Sequence, residues 1–393
     1  MEAAAALDPL APSPATISSN FDSGAIGPYT LHQTPLTLIV SLELPLEKCL
    51  EGPETQNYFK QWFAFTVNNA PATASFTITD AGTSTFRDWT GYKVCVSTDP
   101  TDDTTWKRVQ STTFSNGELK WSVTSNSASS LTFAYFPIYT LERQDSTLAA
   151  ALATGCCTSR VLGFSVDERP LHALVFGQGE KDTDKVIWIQ HRQHPGETSA
   201  SWFCDGVIAR LVELSKATPL PPLIANCKII VVPNVNPDGS FRGHLRTNAS
   251  GANLNRCWGR LHGLPAPQGQ TTPPAPEVEA MVGAMKGVGG PDVMLDIHQD
   301  EEKPYVFISK TPLGCPSCTP ELRKLREHFH EVLRARSVDF ETPGAVDPVG
   351  YPEPAKGKAN LNICSAAVAE AFPGCLSLTM EHPYKGNDNR GGE

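Results

Sequence analysis

Hydrophobic and polar residues follow different patterns in two parts of the chain, and the change lies near residue 145. Before that point, short segments rich in Thr, Val and Phe alternate apolar with polar positions and are separated by turn signals. The clearest of these segments are 63–67, 74–81, 92–97, 119–124 and 131–136. Ser115-Asn116-Gly117 adds a hairpin turn. The first part is therefore predicted to be an all-β sandwich.

After residue 145, predicted strands alternate with predicted helices. Ala200, Phe203, Val207, Leu211 and Leu214 recur at steps of three or four and indicate the buried face of a helix. Further helices are predicted up to residue 336, beginning at a Thr-Pro-Glu start signal, and over residues 361–372. The predicted strands are 185–190, 228–236, 293–298 and 376–380. Such alternation is typical of a mixed sheet with helices on both faces.

These patterns predict an α/β protein in which an N-terminal all-β sandwich is followed by a domain with a mixed sheet covered by helices. Residues 1–17 are rich in Ala and Pro and are expected to form a loose tail. The sandwich domain is predicted over 18–145 and the α/β domain over 146–393. Because the sandwich carries no metal-ligand spacing and no nucleophile motif, the chemistry is expected in the second domain.

Composition and charge narrow the class of protein. The formal net charge of the 393 residues is −10, so a dominant basic surface for nucleic acid is excluded. No apolar run reaches the roughly 18–20 residues that a membrane-spanning helix needs. The acidic start lacks the basic residues of a secretory signal, which favours a cytoplasmic protein with reduced thiols for its eleven cysteines.

The first candidate site is the segment His194-Pro195-Gly196-Glu197, which separates a predicted strand from a predicted helix. In open α/β sheets, ligands bind at this kind of junction. A turn can direct the side chains of His194 and Glu197 at one point, and an imidazole with a carboxylate suits zinc. The same four residues also fit an ordinary helix start, with proline and an acidic residue in the first turn.

Two later strand ends carry further candidates. His298 ends a predicted strand and is a candidate third metal ligand, with Asp296 on the same face as a supporting group. Glu381 ends the strand of residues 376–380, where a carboxylate can take a proton from a water molecule and pass it to a leaving amine. Each of these residues alone is also compatible with an ordinary polar strand end.

Two arginines and an amide lie on loops after the predicted strand 228–236, among Asn-Pro-Asp-Gly and Ser-Gly turn signals. Arg246 is a candidate for stabilising a developing oxyanion near a metal. Arg256 and Asn255 are candidates for binding a carboxylate, because a guanidinium presents a planar fork of donors. The alternative for both arginines is an ordinary exposed position.

Taken together, these motifs resemble those of a known family. The succession HPGE, NPDG, RTNASGANLNR, DIH and TME is similar to that of the zinc metallocarboxypeptidases. The phrases RQHPGET, GKANLNICS and FAYFPIY and the opening SSNFDSG resemble more narrowly the cytosolic carboxypeptidase subfamily, which includes deglutamylases. The resemblance extends from about Ser18 to Asn387 and implies a carboxypeptidase-like fold for the second domain.

The resemblance implies a role for each candidate residue at the strand ends. His194, Glu197 and His298 match the family's ligands for one zinc ion per chain. Glu381 matches the general base that activates the attacking water. The expected enzyme is therefore a metallocarboxypeptidase, a hydrolase that removes one residue at a time from the C-terminus of a peptide or a protein tail.

The resemblance also assigns the loop residues. Arg246 matches the arginine that polarises the scissile carbonyl, and Asn255 with Arg256 matches the pair that binds the substrate's terminal carboxylate. In animals the subfamily trims glutamates from glutamylated tails, which makes glutamate an expected terminal residue. Cationic groups would then be needed near its side chain. Candidates by proximity in sequence, each with an exposed surface position as the alternative, are Arg192, Arg242, His244, Lys356 and Lys358.

Two features depart from the family's pattern. Only twelve residues follow Glu381, where the subfamily continues into a final helix, so a truncated C-terminal end is one expectation. The tyrosine that closes over the substrate in the family has no diagnostic match here, and Tyr351 and Tyr384 are the candidates.

Two other functions stay open at this point. A related zinc deacylase that hydrolyses N-acyl amino acids on the same fold also needs a metal and a carboxylate clamp. A non-catalytic binding protein that keeps the fold is the second alternative. A protein of that kind is expected to lose a ligand or the base, whereas His194, Glu197, His298, Arg246 and Glu381 are all present.

Overall fold

The structure is a computed structural model, and the residues that it describes are 13–50, 58–124, 130–179, 185–264, 275–341 and 352–386. The chain divides into two compact units. Unit 1 consists of Met1–Pro45 and Lys60–Ile138, and unit 2 consists of Leu46–Phe59 and Tyr139–Glu393. The domain limits drawn from the sequence at residues 17 and 145 stay predictions.

The strands are, in chain order, β1 (Thr16–Ser18), β2 (Tyr29–Gln33), β3 (Thr37–Leu42), β4 (Glu47–Lys48), β5 (Tyr58–Phe59), β6 (Ala64–Asn68), β7 (Thr73–Ile78), β8 (Cys95–Ser97), β9 (Lys107–Arg108), β10 (Thr113–Ser115), β11 (Glu118–Thr124), β12 (Ser130–Ala134), β13 (Cys157–Phe164), β14 (Pro170–Phe176), β15 (Lys185–His191), β16 (Cys227–Val232), β17 (Val293–Asp300), β18 (Phe307–Ile308) and β19 (Leu376–Pro383). The helices are α1 (Leu141–Ala153), α2 (Ser199–Ser215), α3 (Pro222–Ala225), α4 (Pro237–Arg242), α5 (Pro276–Gly287), α6 (Pro320–Arg336) and α7 (Cys364–Ala371).

Unit 1 is built from two five-stranded sheets, in the orders β1-β6-β12-β8-β9 and β10-β11-β7-β3-β2. Aromatic rings from the two sheets pack against each other, as in the pair Phe76–Phe133 with ring centroids 4.6 Å apart. Because every second residue of these strands is apolar, one face of each sheet supplies the core between them. The predicted sandwich is confirmed, and β1 begins at Thr16, inside the range predicted as a tail.

Unit 2 is built on a seven-stranded mixed sheet in the order β13-β14-β16-β15-β17-β19-β18. β15 pairs in parallel with β16 and β17, and β17 pairs in parallel with β19. Residues of α5 and α7 pack on one face of the sheet. Residues of α1, α2, α3 and α6 pack on the other. The predicted mixed sheet with helices on both faces is confirmed.

The sequence pattern does not predict the antiparallel pair β13–β14 of unit 2, nor α1, α3, α4, α5 and β18. The start of α6 is as predicted, because the Thr319 hydroxyl accepts a hydrogen bond from the N–H of Leu322. Among the described residues, none of the helices has the length and apolar character required to cross a bilayer.

A buried carboxyl group links α5 to the loop that follows α4. Glu277, near the start of α5, has no exposed surface. Its side chain accepts hydrogen bonds from the Val166 N–H at 3.3 Å and from Asn248 Nδ2 at 3.0 Å. Burial raises the pKa of Glu277 from 4.5 to about 7, although these donors lower it. The folded protein therefore favours the protonated form of this group.

We expect Glu277 to make unit 2 less stable as the pH rises. The pKa of Glu277 is higher in the folded than in the unfolded protein. Its contribution to the free energy of unfolding is therefore complete below about pH 4.5 and is lost as the pH rises through about 7. The loss is on the order of 3 kcal/mol. Thermal unfolding at pH 4.5–8 should show a flatter profile for Glu277→Gln than for the wild type. Parallel profiles would contradict the prediction.

Candidate metal centre

His194 and Glu197 lie on the turn between β15 and α2, at the carboxyl end of a central strand of the unit 2 sheet. The backbone of Arg192 has a φ of 60°, a conformation that non-glycine residues adopt only when neighbours stabilise it. Its buried guanidinium donates to the carbonyl oxygens of Tyr139 (2.7 Å) and Pro195 (2.8 Å). These hydrogen bonds fix the path of the turn.

Gly196 allows this turn to approach the loop that carries Arg246. The Gly196 N–H donates to the carbonyl oxygen of Leu245 at 2.9 Å. A Cβ at position 196 would lie 3.0 Å from the Cα of Leu245 and 3.1 Å from its oxygen. A side chain at this position would therefore be crowded against the loop, and close packing of two backbone segments favours the glycine of the HPGE motif.

His298 and Glu381 are direct neighbours on adjacent parallel strands. In the register of β17 with β19, the Cα partners of Asp296 and His298 are Thr379 and Glu381. Residues two apart on a strand point to the same face, so these four side chains share the face covered by α5 and α7. The sheet thus places a histidine and a carboxylate side by side near the HPGE turn.

The side chains of His194, Glu197 and His298 converge on one point, with candidate ligand atoms all within 4.8 Å of one another. His194 Nδ1 is 2.6 Å from Glu197 Oε1, and His298 Nδ1 is 2.8 Å from Glu197 Oε2. The two Nδ1 atoms are 3.1 Å apart. The structure therefore brings together the three ligands predicted from the sequence, and all three are buried.

The outer ring nitrogens show why this cluster fits a metal ion. His194 Nε2 is 3.0 Å from Asn253 Oδ1, and His298 Nε2 is 2.9 Å from Asp296 Oδ2. Both of these partners are acceptors, so each Nε2 is placed to donate, and with a metal bound each imidazole would present the lone pair of Nδ1. Two lone pairs and a carboxylate then face one another. A cation between them satisfies all three, and this donor set suits zinc.

The electrostatic surroundings of the two histidines differ, since burial, followed by the Arg246 guanidinium, lowers the pKa of His194 to about 4. Burial lowers the pKa of His298, but the carboxylates of Asp296 and Glu197 outweigh burial and raise this pKa well above 6.5. Burial raises the pKa of Glu197, but the imidazoles of His194 and His298 outweigh burial and bring this pKa below its ordinary range. The carboxylates beside His298 therefore favour positive charge there, as a metal cation would supply it.

The carboxylate of Asp296 is held by a network that the sequence analysis missed. Gln190 Nε2 donates to Asp296 Oδ1 at 3.1 Å, and Gln193 Nε2 donates to Oδ2 at 2.5 Å. The two amide oxygens in turn accept hydrogen bonds from the indoles of Trp188 (3.0 Å) and Trp258 (2.8 Å). The only signal in the sequence is polar residues at the end of an apolar strand. This network fixes the carboxylate that orients His298.

The predicted loop residues lie beside the cluster. Arg246 Nη1 is 3.9 Å from Glu197 Oε1. Asn255 Nδ2 is 3.5 Å from His298 Nε2. Arg256 donates through Nη1 to the carbonyl oxygen of Asn255 at 2.8 Å. The two arginines and the amide that the sequence analysis singled out therefore gather at the same edge of the sheet.

Glu381 is buried on the face shared with His298, with 7% of its surface exposed. Burial is the largest cause that raises its pKa well above 4.5. His298 lowers this pKa, and the neighbouring carboxylate of Glu197 raises it further. The arrangement places a titratable carboxyl group next to the three converging ligands.

The tyrosine candidates have different outcomes. Tyr384 is buried, and its hydroxyl donates to the carbonyl oxygen of Gly196 at 2.9 Å, so it supports the HPGE turn. Tyr351 lies outside the described residues.

The basic candidates are engaged elsewhere or exposed. Arg192 supports the turn as described above. Arg242 contacts both oxygens of Asp167, at 2.8 and 2.9 Å. His244 Nδ1 is 3.1 Å from the carbonyl oxygen of Thr247. Lys356 and Lys358 are exposed.

Two protein-family descriptions match most of the chain. Residues 149–371 match the zinc carboxypeptidase family, and residues 17–136 match the cytosolic carboxypeptidase N-terminal domain. An uncharacterized protein of Zymomonas mobilis is 32% identical over 338 residues, which cover 86% of this chain and 82% of that protein. Cytosolic carboxypeptidase 4 of Mus musculus is 32% identical over 121 residues, which cover 30% of this chain and 10% of that protein.

Solved structures share the whole architecture. The metallo-carboxypeptidase from Burkholderia cenocepacia superposes with a TM-score of 0.79 at 33% identity, covering 96% of this chain and 92% of its own. The metallo-carboxypeptidase from Pseudomonas aeruginosa, in complex with (2-guanidinoethylmercapto)succinic acid, gives a TM-score of 0.78 at 33% identity. That match covers 94% of this chain and 90% of the other.

We expect Asp296→Asn to weaken zinc binding by about 10- to 100-fold. The asparagine amide that replaces the carboxylate no longer fixes the orientation of the His298 imidazole. Competition titration against a chromophoric chelator measures the effect. Asp292→Asn is the matched control, since Asp292 accepts a hydrogen bond from the Val186 N–H near the opposite end of β17. Equal zinc affinities for the two variants would contradict the role given to Asp296.

Proposed function

The chain belongs to the zinc carboxypeptidase family, which confirms the resemblance drawn from its motifs, and we propose that it uses one zinc ion per chain to remove C-terminal residues from peptides or protein tails. The protein is a hydrolase of the exopeptidase class. One observation carries the detailed proposal: the three converging ligands have Glu381 on one side and the Arg246 guanidinium 3.9 Å from Glu197 Oε1.

In this proposal His194, Glu197 and His298 hold the zinc ion, which polarises a carbonyl and lowers the pKa of a water molecule when it is bound. The position of Glu381 beside His298 supports its assignment as general base. It takes a proton from the attacking water and returns it to the leaving amine. Its burial excludes competing solvent from the proton transfer.

The loop residues supply binding and charge stabilisation. Arg246 donates to the oxygen that gains negative charge as the peptide carbonyl is attacked. Asn255 and Arg256 bind the free α-carboxylate of the last residue, the guanidinium as a two-pronged donor. Only a chain end carries such a carboxylate, so this pair selects the terminal peptide bond over internal ones.

Glutamate as the removed residue is the finer part of the proposal. Its support is the likeness to proteins named cytosolic carboxypeptidases, of whose length the aligned segments cover 8–20%. The same likeness supports a cytoplasmic location. Arg192, Arg242 and His244 contact protein groups in the structure, which leaves the glutamate pocket to other residues.

The first test compares peptides that differ only at the C-terminus, incubated with zinc-loaded protein and followed by mass spectrometry. We expect stepwise loss of terminal residues from free acids, resistance of the matching C-terminal amides and complete inhibition by a zinc chelator. Loss of Glu before Leu or Lys supports the glutamate proposal, and another preference overturns only that part. Hydrolysis of N-acyl amino acids alone would assign a deacylase, and no hydrolysis at all would favour a binding protein.

The second test addresses the general base. Glu381→Gln removes the proton acceptor and should lower kcat by about 10²- to 10⁴-fold while zinc affinity stays within about threefold of the wild type. Glu279→Gln is the control, because Glu279 is an exposed carboxylate of α5 that pairs with Arg260. Wild-type turnover by Glu381→Gln would remove Glu381 from the mechanism.

A further inference from the structure

A short segment of the N-terminal part of the chain belongs to unit 2. Leu46–Phe59 lies in sequence between β3 and β6 of unit 1, yet it is assigned to unit 2. Its strands β4 and β5 pair with each other, Glu47 opposite Phe59.

The side chain of Glu47 receives three consecutive backbone N–H groups. Leu245 and Arg246 donate to Oε2, the latter at 3.2 Å. Arg246 also donates to Oε1 at 3.0 Å, and Thr247 donates to Oε1 at 2.5 Å. Glu47 is buried. A buried carboxylate whose two oxygens accept several N–H groups is strongly bound and fixes the backbone that donates to it.

Other parts of the segment hold the same loop. The Thr247 hydroxyl donates to the carbonyl oxygen of Lys48 at 3.2 Å, and the Leu50 N–H donates to the carbonyl oxygen of Gly251 at 3.0 Å. The guanidinium carbon of Arg246 lies 5.9 Å from the centroid of the Phe59 ring, within cation–π range. The segment therefore contacts the loop before, at and after Arg246.

We propose that Glu47 is a positioning residue for Arg246: its carboxylate holds the backbone of residues 245–247 so that the guanidinium stays beside the three converging ligands. This inference rests on the proposed function, in which Arg246 stabilises charge in the transition state. A displacement of about 1 Å at such a group lowers turnover by up to about 100-fold. The effect of Glu47 is thus exerted through Arg246.

Both side-chain oxygens of Glu47 are required as acceptors. In Glu47→Gln one oxygen becomes an NH₂ group, which would face the backbone N–H of Leu245 or Thr247 as donor against donor. The loop has to move away from that contact. Substrate binding by Asn255 and Arg256 does not involve this loop segment, so the KM for a peptide should change little.

The test measures kcat, KM and zinc affinity for Glu47→Gln with a peptide that the wild type cleaves. We expect kcat to fall about 10- to 100-fold, with KM and the zinc Kd within about threefold of the wild type. Phe59→Leu, which removes the ring near Arg246, should lower kcat severalfold by the same route. Asp292→Asn is the control for loss of a backbone-binding carboxylate away from the site and should keep wild-type kcat.

A double-mutant cycle decides whether Glu47 acts through Arg246. In an Arg246→Ala background, Glu47→Gln should cause no further loss of kcat. An undiminished loss in that background, or a wild-type kcat for folded Glu47→Gln, would overturn the inference.

If the wild type cleaves no peptide, the proposed function fails, and amide hydrogen exchange tests the positioning of the loop separately. Exchange at residues 245–247 should then be faster in Glu47→Gln than in the wild type and in Asp292→Asn. Equal exchange in all three proteins would refute the anchoring of the loop by Glu47.

Discussion

The parallel register of β17 and β19 is the constraint on which the site depends. Parallel strands end at the same edge of a sheet, and this register sets His298 directly beside Glu381. The ladder between the two strands runs from Val293 to Asp300, so the Cα atoms of His298 and Glu381 cannot move apart without breaking backbone hydrogen bonds. The proposed metal ligand and the proposed proton acceptor are therefore held at a fixed separation by the sheet, and the loops are arranged around them.

Much of the fold and of the site could be predicted, because the signals are local. An apolar strand that ends in a histidine or a glutamate places that residue at the carboxyl edge of a parallel sheet, as His298 and Glu381 show. The HPGE turn could also be predicted from local residues, because its proline and glutamate directly precede a helix and its glycine packs against a neighbouring backbone segment. The family assignment followed from the order of such motifs and is supported by the comparisons.

What could not be predicted depends on contacts between distant residues or on weak patterns. Gln190 and Gln193 gain their role from a carboxylate more than 100 residues away, to which no spacing points. β13 is largely exposed, so it lacks the alternation that reveals a strand. α5 is followed closely by Gly289 and Gly290, and its helical signal is short. The role of Glu47 could not be predicted either, because its partners are distant in sequence and its own segment has the pattern of the β-rich region.

The separation between Glu47 and its partners bears on how the protein is made. Glu47 and Leu245 are 198 residues apart, and ribosomes add roughly 5–20 residues per second. Glu47 is therefore synthesised on the order of 10–40 seconds before the backbone amides that its carboxylate binds. β19, which is flanked on both sides in the sheet, is synthesised later still. In the proposed mechanism the nascent chain thus carries no complete hydrolytic centre until residue 381 has left the ribosome, and biosynthesis itself delays the activity.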